Sequence, residues 1–326
     1  MRRSGDWVRW LVLGSWVARR AARDPGVREL ASNYVAGQEV GDAIKVASRL
    51  RRQGLRLGFS YLSADHDPED TRMVMDELLE RLQGASDGSE VAVKPSSLGL
   101  KESAGRAGEV LGELCATAER RGAHVTLEMQ WPADYDDVMD LYRRVREDHP
   151  MLGITLPANL LRVETECRRL GAEGARVRLC VGSYPAGRAV SHVTEHDKAL
   201  ALVRCLRILM ESRAYPMLAT HDPRIIELAQ ELALRNGRGP ESFEYQMFHG
   251  VRPVALPAKH TESRQRNVVG SRKMIYAANT RKEAMLIAIH QLLRLEVAYH
   301  RIACQRASVD DVRRIPDASA ISDRGE

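Results

Sequence analysis

Polar side chains stand at the ends of several short apolar runs in this sequence, among residues typical of a protein core. They are Lys94, Glu128, Gln130, Arg178, Tyr184, Thr220, His221, Asp222, Gln246 and His249. Lysine and arginine side chains bind carboxylates and phosphates, and a histidine next to a carboxylate can move a proton. Since a buried charge needs a partner, this set predicts a site for a polar ligand.

The histidines suit two kinds of chemistry less well. His221 and Asp222 are adjacent, as an acid–base pair would be, but a single histidine on a core strand is more often structural. His66, His249 and His260 do not follow the HxH or HxxxH spacing that metal ligands take. The sequence therefore predicts no metal site.

Arg178 stands between two apolar neighbours, Val177 and Leu179, so strand alternation points its side chain to the face opposite theirs. An inward-facing arginine needs an anionic ligand or an internal carboxylate, such as Glu128 or Glu244. Glu128 in turn suits either a base for a substrate or an ion-pair partner inside the fold. The sequence leaves both alternatives open.

A repeating strand–helix rhythm carries these polar positions. Apolar runs predict seven strands and a much weaker eighth, at 55–62, 91–98, 124–130, 152–158, 177–184, 215–222, 243–250 and 273–278. Segments with helical spacing lie between them, including 70–82, 104–121, 135–146, 198–212 and 223–234. Seven or eight such units, without a GxGxxG turn after the first strand, favour a (βα)8 barrel over an open doubly wound sheet. Chemistry in such a barrel takes place at the carboxyl ends of the strands.

The composition excludes several classes of protein. Of the 326 residues, 44% are hydrophobic and 29% are charged, which rules out a collagen-like, disulfide-knotted or mainly disordered chain. The net charge of +5 permits nucleic-acid binding without indicating it, and we expect no nucleic-acid partner. Five cysteines without CxxC spacing predict reduced thiols in a cytoplasmic protein.

The chain ends are expected to flank the barrel. Residues 1–53 are predicted to form a helical extension, residues 54–305 the barrel, and residues 306–326 a disordered tail. The apolar stretch 7–17 contains Arg9 and is too short to span a bilayer. It suits an amphipathic helix that packs inward or, alternatively, a surface anchor at the inner face of the membrane.

Four of the predicted strands carry motifs in a fixed order. They are VAVKPSSL at 91–98, VRLCVGSY at 177–184, YPMLATHD at 215–222 and FEYQMFHG at 243–250. In order and spacing they resemble the lysine-bearing strand, the VRLxKGAY strand, the ATHN or ATHD strand and the EFQMLYG strand of proline dehydrogenases. The resemblance covers roughly residues 30–253 and fades after Pro253.

The resemblance implies a distorted (βα)8 barrel that holds FAD and passes a hydride from a substrate carbon to N5 of the flavin. It implies that Lys94 and Arg178 are catalytic, with Lys94 on the substrate carboxylate and Arg178 beside the flavin ring. The substrate would also contact Glu128, Tyr184 and Phe248. The cofactor contacts would be Arg178, Gly182, Ser183, Tyr184, Thr220, His221, Asp222 and Gln246. Electrons would leave the flavin for a quinone or another acceptor.

The sequence departs from the family pattern where its chemistry is concerned. Val181 replaces the lysine of VRLxKGAY, and Pro157 replaces a glutamine that faces the flavin in the family. After Pro253 the family's YxxRRxxE helix, whose paired arginines bind the substrate carboxylate, is not recognisable. The segments 281–283 and 294–296 are weak matches to it.

Three hypotheses remain open from the sequence. The first is an FAD-dependent oxidoreductase that acts on L-proline or on a proline-like or modified amine and gives an imine-type product. The second is an inactive barrel that serves as a binding or scaffold protein. The third is that the segment after residue 253 is not a natural product of selection, in which case the barrel would lack its closing unit. The sequence does not predict an oligomeric state.

Overall fold

The computed structural model describes residues 35–37, 39–62 and 67–249, together with the backbone of 271–278. The segments 7–17, 281–283, 294–296 and 306–326, on which several predictions rest, lie outside the described residues. Strands and helices alternate through the described part. In order they are β1 (Val35–Gly37), α1 (Val40–Arg52), β2 (Arg56–Leu62), α2 (Pro68–Leu82), β3 (Glu90–Val93), α3 (Ala104–Arg120), β4 (His124–Leu127), α4 (Tyr135–Asp148), β5 (Gly153–Pro157), α5 (Val163–Ala172), β6 (Arg176–Cys180), α6 (Glu195–Glu211), β7 (Tyr215–Ala219), α7 (Pro223–Arg235), β8 (Glu244–Phe248) and β9 (Ser271–Ala278).

Strands β2 to β9 form one closed sheet. Every neighbouring pair is parallel, and β9 pairs with β8 on one side and with β2 on the other. Following the paired residues once round the sheet returns to β2 eight residues further along, which is the shear of a (βα)8 barrel. The predicted (βα)8 fold is confirmed, and the weak eighth candidate, 273–278, belongs to the closing strand β9.

One short strand extends the sheet beyond the barrel. β1 pairs with β9 next to the part of β9 that pairs with β8, with Val35 opposite Tyr276. The segment 1–53, predicted to be helical, therefore includes a strand of the same sheet before α1 begins. A run of three residues is too short to show the period-two alternation that identifies a strand.

Each barrel helix presents one apolar face to the sheet, and α3 shows why these helices form. The Ser103 hydroxyl caps its start by accepting a hydrogen bond from the Arg106 backbone nitrogen at 3.2 Å. Its buried residues, at the three- and four-residue spacing of one helix face, are Ala107, Val110, Leu111, Leu114, Cys115 and Ala118. This face packs against β4 and joins the apolar core between the sheet and the helices.

Six of the eight strands end one to five residues earlier than predicted at their carboxyl ends, whereas β2 and β9 end where predicted. After β3, Pro95 lacks the N–H that a strand must donate, and Pro95–Leu98 forms a 3-10 turn. After β6, Gly182 has a φ of 94°, which leaves the extended region. Most candidate residues therefore lie on loops just beyond the strands.

The inner face of the barrel is polar, whereas the layers inside many (βα)8 barrels are aliphatic. The register places these residues on the inner face: Arg56, Glu90, Thr126, Thr155, Arg176, Arg178, Tyr215, Glu244 and Gln246. Their neighbours along the chain, such as Val91, Val177 and Leu179, face outward into the apolar core. The lumen is therefore the place where this protein brings buried charges together.

Candidate active site at the carboxyl end of the barrel

The predicted site residues surround one end of the barrel. Lys94 directly follows β3, Glu128 directly follows β4, and both are half-buried. Gly182, Ser183 and Tyr184 follow β6, and Thr220, His221 and Asp222 join β7 to α7. Arg178, Gln246 and Phe248 lie within strands, with their side chains on the inner face by register. Because all strands run parallel, their carboxyl ends bring these loops to the same rim.

Arg178 lies inside the barrel and contacts polar groups from three other strands or strand ends. It is buried, and its Nε donates a hydrogen bond to Oε1 of Gln246 at 2.6 Å. Its Nη2 forms an ion pair with Glu90, and its Nη1 lies 3.4 Å from Oε1 of Glu128. Of the two internal carboxylates expected as partners, Glu128 is confirmed. Glu244 instead accepts a hydrogen bond from Gln246, which in turn contacts Arg178.

Glu90 is the site residue that sequence reasoning missed. It is the first residue of β3, it is completely buried, and it reaches Arg178 across the lumen from three strands away. The predicted strand began at Val91, which left Glu90 in the preceding turn. Strand alternation running backwards from Lys94 through Ala92 would have placed it on the inner face.

Gln246 links the two buried glutamates. Its Nε2 donates to Glu90 Oε2 at 3.2 Å and to Glu244 Oε1 at 2.7 Å, while its Oε1 accepts from Arg178. The amide therefore has a single orientation in which all its polar atoms are used. Gln246 holds Arg178 from the side opposite to Glu128.

Two further arginines, Arg56 and Arg176, lie near the buried glutamates, and Arg176 Nη2 is 3.9 Å from Glu90 Oε2. The Tyr215 hydroxyl lies 3.3 Å from Glu244 Oε2, and Arg56 Nη1 lies 3.8 Å from the same oxygen. Arg176 packs over the Tyr215 ring, with its guanidinium carbon 4.4 Å from the ring centroid. Although burial opposes it, the pKa of Arg56 is raised by Tyr215, Glu241 and Glu244, so its positive charge is secured.

His221 joins the ends of β7 and β8. Its Nε2 accepts a hydrogen bond from the Phe248 backbone nitrogen at 3.1 Å, and the two rings stack with centroids 5.9 Å apart. In the neutral ring this bond places the proton on Nδ1. The contact is one that a structural histidine makes.

Asp222 does not pair with His221 in an acid–base dyad. Its carboxylate caps α7 by accepting from the Arg224 backbone nitrogen at 2.9 Å, and it also binds the Arg224 guanidinium at 2.7 Å. The hydrogen bond to Asp222 raises the pKa of Arg224. The Asp222 backbone nitrogen donates to the Thr220 hydroxyl at 3.1 Å, so the Thr220–Asp222 turn is held from within.

An aromatic pair borders the rim beside β5. Trp131 and Tyr184 meet edge to face with centroids 4.9 Å apart and join the loops that follow β4 and β6. The neighbouring Gln130 accepts a hydrogen bond from the Ser96 backbone nitrogen at 3.0 Å, which ties the β3 and β4 loops together. Trp131 remains partly exposed, so the pair forms a wall of the opening.

Gly182 passes close to the end of β5. A Cβ at this position would lie 1.8 Å from Oδ1 of the buried Asn159 and 3.0 Å from Cβ of Pro157. With its φ of 94° as well, only glycine fits here. Pro157, which departs from the family pattern, therefore forms part of the surface against which the Gly182 turn packs.

Several buried hydroxyls, on the inner face of the sheet and in the turn after β3, have no hydrogen-bond partner among the described residues. They are Ser60 Oγ, Ser96 Oγ, Thr126 Oγ1 and Thr155 Oγ1. Thr155 lies opposite Arg178 in the register, and Ser96 lies two residues beyond Lys94. Buried polar atoms of this kind are normally satisfied by water or by a ligand.

The described residues form neither a metal site nor a membrane-spanning helix. Among them, no three histidine, cysteine or acidic side chains come together as metal ligands, and Cys115, Cys167, Cys180 and Cys205 are free thiols. None of the helices in these ranges has the length and apolar character needed to cross a bilayer.

Comparison with known proteins finds similarity to proline dehydrogenases. Proline dehydrogenase 1 of Bacillus subtilis (strain 168) is 28% identical over 236 residues, which are 71% of this chain and 78% of that protein. Proline dehydrogenase of Deinococcus radiodurans is 26% identical over 234 residues, covering 68% of this chain and 75% of that protein. No family model matches the chain.

Solved structures of similar fold carry related names. Proline utilization A from Bdellovibrio bacteriovorus, inactivated by N-propargylglycine, has a TM-score of 0.70 at 16% identity over 82% of this chain. Proline utilization A from Corynebacterium freiburgense has a TM-score of 0.64 at 18% identity over 90% of this chain. The chain spans about a third of the length of these two proteins, at 32% and 33%. At these identities the likeness shows the fold.

Proposed function

We propose that this chain, which belongs with the proline dehydrogenases, is a flavin-dependent oxidoreductase that acts on proline or a proline-like amine. It would remove a hydride from the carbon that bears the nitrogen, and the nitrogen would lose a proton, so that the C–N bond becomes a C=N bond. The observation that carries the proposal is the buried Arg178 guanidinium. It is oriented by Gln246 and Glu90 in the middle of β6, the strand whose motif resembles the family. A fixed cation inside a barrel is suited to a site in which negative charge develops.

The residues at the rim fit a flavin dinucleotide. The buried Ser96 and Thr155 hydroxyls need a partner that the described residues do not supply. Gly182 offers a turn without a side chain, and Ser183, Tyr184 and Thr220 add hydroxyls beside it. Such donors suit the ribityl hydroxyls and diphosphate of FAD. When bound, the flavin supplies the acceptor for a hydride.

Residues of the chain itself would bind the substrate, orient Arg178 and exclude water. Arg178 holds a positive charge beside the reacting centre, and Gln246 fixes the orientation of its guanidinium. Lys94, half-buried at the end of β3, would bind the substrate carboxylate. Glu128 keeps part of its side chain exposed at the rim and limits where a second anion can bind. The Trp131–Tyr184 pair excludes water from one side of the opening.

The remaining rim residues are proposed to contact the ligands through their exposed atoms. His221 and Phe248 stack at the ends of β7 and β8 and offer an aromatic surface, Phe248 to the substrate and His221 to the cofactor. Asp222 would contribute through the backbone of its turn, because its carboxylate is engaged by Arg224. A quinone or another acceptor would then reoxidise the flavin.

The test is a visible absorption spectrum of the purified protein, followed by anaerobic addition of L-proline. We expect an oxidised-flavin spectrum that bleaches with proline. A flavin spectrum that proline does not bleach, but that another cyclic amine does, would move the proposal to that substrate. A folded protein that takes up no FAD would overturn it and favour the inactive scaffold.

Two lysines on the β3 loop give a matched pair for substrate binding. Lys94→Met should raise the KM for proline by tenfold or more, because a charge-assisted contact with the carboxylate is lost. Lys101→Met is the control, since Lys101 is exposed and pairs with Asp134 at 3.1 Å. If both variants change KM equally, Lys94 does not bind the carboxylate.

A further inference from the structure

Arg178, Glu90 and Gln246 form a closed triangle of contacts inside the barrel. Arg178 bonds to Glu90 and to Gln246, and Gln246 bonds to Glu90 in turn. The three residues come from β6, β3 and β8, which are not neighbours in the sheet. Each member therefore fixes the other two across the lumen, and the Arg178 guanidinium has little freedom to rotate.

Burying the Glu90 carboxylate inside the barrel is unfavourable in free energy. Its side chain is completely buried, and desolvating a carboxylate opposes folding by about as much free energy as its ion pairs return. Glu90 forms ion pairs with two buried arginines, Arg178 and, at 3.9 Å, Arg176, and of these two only Arg178 is proposed to lie beside the flavin.

We infer that Glu90 is a positioning residue, which orients Arg178 and lowers the positive potential that Arg178 exerts on the bound flavin. The inference rests on the proposed function and adds a role to a residue outside the motifs that resemble the family. Glu90 itself lies at the amino end of β3, whereas Lys94 lies at the carboxyl end, so Glu90 acts through Arg178 rather than on the ligands.

The charge of Glu90 is expected to change the midpoint potential of the bound flavin in one direction only. Reduction adds negative charge to a flavin, and a nearby cation favours the reduced form. A carboxylate paired with that cation offsets part of its effect. Neutralising Glu90 should therefore favour reduced flavin and raise its midpoint potential.

The chain supplies a matched control in Glu244. Both acids are completely buried, and both accept a hydrogen bond from Gln246, but the contacts of Glu244 run to Tyr215 and Arg56 rather than to Arg178. Glu90→Gln and Glu244→Gln remove the same charge with the same change of shape. Thermal unfolding of the proteins without flavin measures the shared structural cost.

The experiment is a redox titration of the FAD-loaded wild type, Glu90→Gln, Glu90→Asp and Glu244→Gln, with FAD dissociation constants measured alongside. We expect the midpoint potential to rise clearly in Glu90→Gln, to rise less in Glu244→Gln, and to return toward the wild-type value in Glu90→Asp, which keeps the charge. If Glu90→Gln does not fold, Glu90→Ala takes its place, and a midpoint potential no higher than that of Glu244→Gln overturns the inference.

These measurements distinguish a failure of the inference about Glu90 from a failure of the proposed function. If the wild type is reduced by proline and the Glu90→Gln and Glu244→Gln potentials are equal, Glu90 has only a structural role and the inference is overturned. If the wild type takes up no FAD, the proposed function fails and the inference fails with it.

Discussion

Two of the arginine–carboxylate pairs at the candidate site differ in burial and in the elements that they join. Arg178 and Glu90 join β6 to β3 across the lumen, and both are buried. Arg224 and Asp222 are two residues apart at the start of α7, and Arg224 is exposed. The exposed pair is explained by helix capping alone. The buried pair costs desolvation and depends on the whole barrel, so it is the better guide to function.

Breaking the buried pair should have the largest effect. Arg178→Met leaves Glu90 in the lumen without its nearest cation, and we expect a loss of about 3–5 kcal/mol of unfolding free energy. Urea denaturation measures it. The double variant Arg178→Met/Glu90→Leu should recover much of the loss, because it removes both charges. A loss below about 1 kcal/mol in the single variant would mean that the pair is hydrated rather than buried.

Two glycines extend the comparison between the inside and the outside of the barrel. Gly182 and Gly237 both have positive φ, at 94° and 62°, but only Gly182 lies against a neighbouring side chain, Asn159. Gly182→Ala should cost about 2–4 kcal/mol, from backbone strain and from the clash together. Gly237→Ala should cost about 1 kcal/mol, from strain alone. Equal costs in thermal or urea unfolding would show that the Asn159 contact relaxes easily.

The exposed pair should behave as a helix cap and nothing more. Asp222→Ala is expected to lose about 1 kcal/mol of stability without changing the dissociation constant of FAD. Thr194→Ala is the matched control, because Thr194 caps α6 by accepting from the Asp197 backbone nitrogen at 3.0 Å. A weaker FAD affinity in Asp222→Ala alone would show that the carboxylate contacts the cofactor, and the contrast between the pairs would fail.

The ion pair between Glu164 and Arg204, which joins α5 to α6, should have the smallest effect on stability. Burial opposes ionisation of Glu164, but hydrogen bonds from Arg204 and Arg168 lower its pKa below the usual 4.5. The unfolded chain then binds the proton more readily, so this contribution is present above about pH 4.5 and is lost as the pH falls through the folded pKa. Glu164→Gln should lose a few tenths to about 1 kcal/mol at pH 7 and almost nothing at pH 3. The exposed Glu227→Gln is the control, and a pH-independent difference for Glu164→Gln would contradict the pKa shift.

The sequence was sufficient to predict the barrel and two of the site residues within its strands, but not Glu90. Strand alternation places Arg178 and Gln246 on the inner face, and the structure finds them there. The carboxyl ends of the strands were predicted too long, because apolar residues such as Leu98 continue past the point where Pro95 ends the ladder. Periodicity reports which residues are apolar, and it does not report where hydrogen bonding stops.

Two other contacts could not be predicted from the sequence, for a different reason. Glu90 meets Arg178 only because the closed sheet curves β3 to face β6, and no local pattern encodes that distance. The same holds for the hydrogen bond between the Phe248 backbone and His221. Both pairs follow once the register of the barrel is known.

The closing strand β9 also determines when this fold can be completed. It pairs with β2, which lies near the other end of the chain, so the loop that must close is nearly as long as the barrel itself. During synthesis the seven strands β2 to β8 leave the ribosome first, with the backbone edges of β2 and β8 still unpaired. Exposed edges of this kind invite pairing with other chains. The nascent protein therefore depends on the late arrival of residues 271–278, and chains interrupted before that point should be the ones that chaperones retain.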